Sequence, residues 1–356
     1  MSPRLHIAIT ADPYLPVPPL LYGGIERVLD FLVRGLADRG HQVTLFAHPE
    51  SQAPATLVPY GSPPHFGKFH RAKELWQVGA KLWSRRHEFD LVHSFGRLAA
   101  LAPVLTLRGL PKVQSYQRNG PPWKSIRTAH RLARASIRFT ACSSSVYRGI
   151  PAADGSFGKW HTVFNGVDLG KYTFRREVGD DAPLAFLGRL EPIKGAHHAI
   201  AIAKAAGRRL VIAGNQVADS MSYFKSRIAP HIDGDRIQYL GPVDDEDKNA
   251  LLSRSAALLM PIEWDEPFGI VMAEAMACGT PVIGFGRGSV NEVVRDGING
   301  YVCHGIAEAV SAVSNLGAID RSIVRKNCAR RFSSAVVVEA YERLYLDLCA
   351  RSGGVS

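Results

Sequence analysis

Between Pro261 and Phe285 the chain reads P-I-E-W-D-E-P-F-G-I-V-M-A-E-A-M-A-C-G-T-P-V-I-G-F, and this run constrains the fold more than any other. It spells a strand end (256–261), an acidic loop closed by Pro267 and Gly269, a short helix, and a second strand (281–285). Ile270, Val271, Met272, Ala273, Ala275, Met276, Ala277 and Cys278 are apolar nearly all round the helix, which marks it as buried. Two carboxylates interrupt that greasy surface. Glu266 and Glu274 are eight residues apart, so a helix starting near Phe268 puts one at its mouth and the other about two turns in, where both can face one ligand. The amides from Phe268 to Val271, with Gly269 and Ile270 between them, are then the orphan donors of a helix start, suited to a polyhydroxylated or anionic group. A plainer reading makes Glu266 a cap and Glu274 part of a solvated face. A carboxylate inside a buried helix, however, needs a partner or a ligand.

This stretch closely resembles the E-x7-E signature of the family-4 retaining glycosyltransferases of the GT-B superfamily. Other motifs extend the resemblance over most of the chain. Near the N-terminus, L-H-I-A-I-T reads as a buried strand, followed by a proline-rich loop and the glycine pair of Y-G-G-I-E-R, a helix closed near Gly40, and the strand Gln42 to Ala47. This is a Rossmann-like unit without G-x-G-x-x-G, so no nicotinamide fingerprint is present. The resemblance places Gly23 and Gly24 beside the donor phosphates and sugar. F-D-L-V-H-S-F-G-R matches the family's F-D-x-V-H strand end, and P-K-V-Q-S-Y-Q-R the following strand. Gln117 stands where many members have a histidine, and Phe95 where a second one often follows His93. A lone His93 at a strand end is structural or a substrate contact; Gln117 and Arg118 become candidate sugar or acceptor contacts.

W-H-T-V-F-N-G-V-D-L resembles the last strand and turn before the family's crossover, with a hinge near Lys171 to Arg176. A-P-L-A-F-L-G-R-L-E-P-I-K-G then sets Arg189 and Lys194 five residues apart beside a glycine turn. A guanidinium fork with a mobile ammonium makes a diphosphate clamp, and in the family these two positions hold the leaving diphosphate. By the same resemblance the loop Gly241 to Val243 cradles the nucleotide base, Glu274 binds the ribose, and Glu266 with the helix-start amides holds the sugar. The catalytic set is therefore Glu266, Arg189 and Lys194. Asp233-Gly-Asp235 spells D-x-D, but three residues carry little information and the architecture needs no metal. No metal or cofactor is expected beyond a UDP- or GDP-linked sugar. G-F-G-R-G-S-V-N-E reads as the family's glycine turn and glutamate at that end of the cleft.

The implied fold is α/β, with two Rossmann-like domains facing across a cleft. Residues 1–172 would form the acceptor-side domain, joined by a C-terminal helix at 335–350 packing back on it, and 173–334 the nucleotide-sugar domain. Length allows two such cores. Leu5 to Thr10 lacks the cleavage site of a signal peptide, and the most apolar window holds Glu274 and Pro281, a poor membrane span. Five widely spaced cysteines without C-x-x-C indicate a reducing cytoplasm and argue against zinc.

The charge is one-sided. Residues 1–174 hold 22 Lys and Arg against 10 Asp and Glu, residues 175–356 hold 21 against 22, and no acid occurs between Asp90 and Asp154. Such a field implies an anionic partner: membrane lipid, an anionic or lipid-linked acceptor, or nucleic acid. Aromatics for base stacking are few in the basic block, so nucleic acid is not expected. From Phe66 to His87, Phe69, Trp76 and Trp83 lie among lysines and arginines, either as a membrane-surface helix or as a helix packed on its own sheet. Trp123 to Phe139 reads as one helix with Arg127, Arg131, Arg134 and Arg138 in a stripe. The activity expected is transfer of a sugar from a nucleotide sugar with retention; the alternative is a nucleotide-sugar-binding protein without transferase activity.

Overall fold

The computed structural model describes residues 3–20, 23–61, 68–148 and 160–353; Phe66 and Gly67, at the head of the basic tryptophan segment, lie outside them. The chain divides into two compact units, Met1–Asn165 with Ser334–Ser356, and Gly166–Ser333. The division thus falls a few residues before the Lys171–Arg176 stretch.

The first unit contains strands β1 (His6–Thr10), β2 (Gln42–Ala47), β3 (Thr56–Pro59), β4 (Leu91–Ser94), β5 (Lys112–Tyr116), β6 (Ile137–Ala141) and β7 (Trp160–Thr162). They form a parallel sheet in the order β3-β2-β1-β4-β5-β6-β7. Helices α1 (Gly24–Asp38), α2 (Lys68–Ser84) and α3 (Trp123–Ala133) connect them. Val28, Leu29, Leu32, Val33 and Leu36 of α1 are fully buried, one face at helical spacing. Trp123 to Phe139 is not one helix. It breaks at Arg134, whose φ of 52° no helix continues through, and resumes as β6. Arg138 is buried there, donating to the carbonyls of Ala135 and Ile137, and Lys112 is buried on β5 with Ser136 Oγ at 3.0 Å from its Nζ. Two of the cations in the acid-free block are therefore not presented on the surface.

The second unit holds β8 (Leu184–Leu187), β9 (Leu210–Ala213), β10 (Ile237–Tyr239), β11 (Ala257–Met260), β12 (Val282–Phe285) and β13 (Gly300–Cys303), parallel in the order β10-β9-β8-β11-β12-β13. Its helices are α4 (Ala196–Ala205), α5 (Met221–Tyr223), α6 (Asp245–Arg254), α7 (Ile270–Ala277), α8 (Val290–Val293), α9 (Ile306–Ser314) and α10 (Arg321–Phe332). The last helix, α11 (Ser334–Gly353), belongs to the first unit. Val337, Val338, Tyr341, Leu344, Tyr345 and Leu348 form its buried face. A Cβ on Gly35 of α1 would lie 2.6 Å from a methyl of Val338, so glycine permits the close approach of α1 and α11. All five cysteines are free, and burial pushes the thiols of Cys278 and Cys328 up to about 12.

Candidate active site

In both sheets the first strand of the unit lies centrally and the chain winds away from it in both directions. Loops at the carboxyl ends of the two central strands diverge at that switch point and leave a crevice. In the second unit the crevice lies between the loops following β8 and β11. The first loop supplies Arg189, Glu191 and Lys194; the second supplies Glu263 to Phe268. Lys194 Nζ donates to Glu266 Oε2 at 2.6 Å, the Trp264 indole N–H donates to the same oxygen at 3.0 Å, and the ammonium sits 4.5 Å from the Trp264 ring centre. Glu266 is buried, so the ion pair and the indole together hold its charge away from water.

Backbone packing fixes these loops. Gly195 has φ 75°, and a Cβ there would stand 1.9 Å from the Pro261 carbonyl oxygen. The Glu263 N–H donates to Ile193 O at 2.9 Å, closing the two loops on each other. Beneath Glu266, the glycine turn after β12 forms a shelf: Gly288 N–H reaches Asp265 Oδ1 at 3.1 Å, Ser289 N–H reaches Glu266 O at 2.9 Å, and Ser289 Oγ donates to Phe268 O at 2.9 Å. Gly288 (φ 54°) would place a Cβ 2.4 Å from the Glu266 nitrogen. The turn of G-F-G-R-G-S therefore serves as a buttress, which accounts for the glycine at 288.

The helix α7 begins at Ile270, two residues later than Phe268, because Gly269 (φ 70°) is its N-cap. Phe268 is core, edge-on to Phe332 at 5.6 Å, while Ile270 and Val271 are half-buried in the first turn. Glu274 and Glu266 do not share a partner. Glu274 Oε1 accepts from Tyr172 OH and from Lys248 Nζ, both at 2.7 Å. Sequence reading missed Lys248, Tyr172 and Trp264. Lys248 was hidden in D-D-E-D-K, whose Asp244 caps α6 as an acidic N-terminus should. Arg189 is half-exposed and lies 3.1 Å from Glu191. Gly241 (φ 77°) lies just beyond β10 and its carbonyl accepts from Gly214 N–H at 2.8 Å, with Val243 following.

Asp233 lies before β10, at the opposite, amino edge of the sheet from Arg189 and Lys194. Its Oδ1 accepts the N–H of Asp235 at 3.0 Å and of Ile237 at 2.9 Å, and these bonds hold the carboxyl below its usual range. The D-x-D is a turn.

In the first unit the switch point lies between β1 and β4. A cavity of about 780 Å³ opens there, lined by Asp12 and Tyr14 after β1, Phe95 and Arg97 after β4, and Gln117 and Arg118 after β5. Burial raises the Asp12 carboxyl, an effect that Arg118 and Arg97 oppose. The buried amide of Gln117 and hydroxyl of Tyr116 have no hydrogen-bond partner among the described residues, which is the mark of a place where a ligand's polar groups belong. His93 does not reach this cavity. It is fully buried, with Nδ1 2.6 Å from Tyr345 OH and Nε2 2.7 Å from Ser115 Oγ, and burial pushes its imidazole down to about 3. The histidine fastens α11 to the sheet, with both ring nitrogens occupied. Gly23 is the N-cap of α1, and a Cβ there would meet Pro19 at 2.7 Å; Gly24 opens the helix and Ile25 lines the cavity.

Two family models match, one on each unit: Glycosyltransferase Family 4 over residues 22–171 and Glycosyl transferases group 1 over residues 174–321. The chain is 27% identical over 350 residues to a glycogen synthase of Mycobacterium tuberculosis, covering 83% of each. It is 28% identical to a phosphatidyl-myo-inositol mannosyltransferase of Propionibacterium freudenreichii, covering 85% of this chain and 82% of the relative. Among solved structures, AviGT4, a glycosyltransferase involved in avilamycin A biosynthesis, superposes with a TM-score of 0.71 at 26% identity, covering 97% of this chain and 98% of that one. HepE of Anabaena, solved with UDP and glucose, gives 0.69 at 20% identity, covering 96% and 99%, and shares the fold. Two Rossmann-like units, a Lys–Glu pair at the switch point of the second and family matches spanning both lead to one conclusion: the chain belongs to the family-4 glycosyltransferases of the GT-B superfamily, retaining enzymes that transfer a sugar from a nucleotide-sugar donor.

Proposed function

We propose that the donor is a UDP- or GDP-linked hexose held by the second unit, and that the acceptor is anionic or lipid-linked and held by the first. The observation that carries the donor assignment is the Lys194–Glu266 pair at the β8/β11 switch point. A lysine ammonium has three donors, and this one spends one on Glu266, so a diphosphate can take the others while Arg189 supplies a second cation from the same turn. Glu266 and the amides of Gly269, Ile270 and Val271 hold the sugar hydroxyls. Glu274 receives the ribose on Oε2, since both of its bonds in the described residues fall on Oε1. Gly241 to Val243 meet the base.

The reaction breaks the bond between the anomeric carbon and the diphosphate oxygen. The acceptor hydroxyl forms the new bond on the same face, and its proton passes to the departing oxygen. Arg189 and Lys194 stabilise the charge that develops there, so no protein base is required and the glutamine at position 117 is tolerated. Because Asp233 is committed to its own turn, turnover should continue in EDTA; loss on chelation restored by magnesium or manganese would refute this.

For the acceptor, the cavity in the first unit presents Arg97, Arg118 and Lys124 at its rim and the unpaired Gln117 amide within, a combination suited to a phosphorylated polyol headgroup. No helix among the described residues is long and apolar enough to cross a membrane. Contact with an anionic membrane from the cytoplasmic side would instead use the exposed Phe69, Trp76 and Trp83 of α2. A mass-spectrometric screen of donor hydrolysis across nucleotide sugars, repeated with Lys194→Gln, tests the donor site. No hydrolysis of any UDP or GDP sugar, or hydrolysis indifferent to the substitution, would overturn it.

A further inference from the structure

Two histidines, His197 and His198, stand in the first turn of α4 just beyond Lys194, Gly195 and Ala196, and across the switch point from them stands Glu263. The His198 Nε2 lies 2.7 Å from Glu263 Oε1, and the His197 Nε2 lies 3.8 Å from the same oxygen. One ligand atom from each of the three residues lies within 4.8 Å of the other two. The rings of His197 and His198 are tilted together, with centroids 3.9 Å apart. Neighbours on a helix ordinarily diverge, so this convergence is a property of the site. The second nitrogen of His197, Nδ1, is taken by Tyr223 OH at 2.8 Å, which orients the ring with Nε2 toward Glu263. Metal-bound histidines are usually held in this way from the far nitrogen.

We propose that His197 Nε2, His198 Nε2 and Glu263 Oε1 bind one divalent cation of the zinc or nickel class, at a site distinct from the donor chemistry. Ligands 2.0–2.1 Å from a tetrahedral zinc stand about 3.4 Å apart, and the two observed separations to Glu263 bracket that value, so a small rotation of the exposed glutamate suffices. Two imidazoles and one carboxylate are the donor set that such borderline cations prefer, with a fourth position open to water. Arg227 near His197 and Arg287 near Glu263 add positive potential, which weakens the affinity for a cation. The consequence is mechanical: the cation ties the helix that follows Lys194 to the loop that carries Glu266. The cysteine pattern gives no hint of such a site.

Calorimetric titration of the EDTA-treated, dialysed protein with zinc chloride, without donor, tests this. One equivalent should bind, at least about tenfold more weakly in Glu263→Gln and not at all in His197→Asn/His198→Asn. Cobalt should give the intense visible bands of a tetrahedral complex, and zinc should raise the melting temperature of the wild type alone. Glu263→Gln alters an exposed side chain and keeps its shape, so it reports on the site even if the double variant folds poorly. Equal zinc affinity in wild type and Glu263→Gln, or no zinc binding by the wild type, would leave the trio an ordinary His–Glu ion pair and overturn the proposal. The readout needs no sugar transfer, so it stands or fails apart from the donor assignment.

Discussion

At the scale of single residues, unspent hydrogen-bonding capacity separates side chains committed to the fold from those with room for a ligand. Glu274 and His93 are both buried, but the carboxylate has one oxygen doubly bonded and one in reserve, whereas both nitrogens of the imidazole are consumed. A charge-assisted hydrogen bond contributes about 1.5–3 kcal/mol, so Glu274→Gln should weaken nucleoside diphosphate binding by roughly tenfold or more. Isothermal titration checks this, and unchanged affinity would remove Glu274 from the donor site. His93 gives a prediction in pH. Its folded value of about 3 lies below the ordinary 6.5, so the fold favours the neutral ring. Its contribution is complete above pH 6.5 and is lost as pH falls toward 3, because only the unfolded chain takes up the proton in that window. Stability should therefore fall by up to about 1.4 kcal/mol per pH unit on account of this residue. Urea unfolding at several pH values would show it, with His93→Asn flattening the slope by close to one proton.

Elements are positioned by backbone contacts that no side-chain pattern announces. Gly195 and Gly207 both have positive φ, but only Gly195 faces a backbone oxygen where its Cβ would be. Gly207→Ala should cost about 1–2 kcal/mol from conformation alone. Gly195→Ala should cost more and also abolish donor binding, since it forces apart the loops that hold Lys194 and Glu266; denaturant unfolding paired with nucleotide titration distinguishes the two, and equal effects would refute the loop-closure argument. The strand and helix alternation was legible because each buried parallel strand is a local apolar run and each glycine turn a local signal. Non-local pairings were not. The break at Arg134 turned a supposed arginine stripe into a helix end and a buried strand residue, and helical spacing alone cannot show where a helix stops. The Lys248 that pairs with Glu274 sits 26 residues before it, and the Tyr345 that seals His93 comes 252 residues after it; only the folded chain brings these together.

Taken whole, the molecule concentrates its net charge of +11 in the first unit, where removing Lys112 and Arg138 from the surface count still leaves Arg71, Lys73, Arg108, Arg127, Arg131 and Arg134 exposed. Helices α2 and α3 pack on the same core cluster through Val78, Leu82, Ile126 and Ala129, so their outer faces lie on one side of the first sheet. On α2 the exposed face reads Phe69, Lys73, Trp76, Ala80, Trp83, one stripe at helical spacing, with Arg86 stacked 4.0 Å over the Trp83 ring. Water-facing helices of a closed globular unit seldom spend three aromatics this way, and a basic rim around them matches the interface of an anionic bilayer. Each cation near such a surface contributes about 1 kcal/mol, so several acting with two inserted tryptophans would hold the protein reversibly. The attraction reaches over a Debye length of about 8 Å in physiological salt, and binding should fall steeply as salt rises. Co-sedimentation with phosphatidylserine vesicles checks this at two salt concentrations, with Trp76→Ser/Trp83→Ser expected to lose most of the binding and to keep turnover of a water-soluble acceptor. If the wild type ignores anionic vesicles at low salt, the cations serve the acceptor instead, and Arg97 and Arg118 at the cavity rim become the residues whose removal should raise its KM.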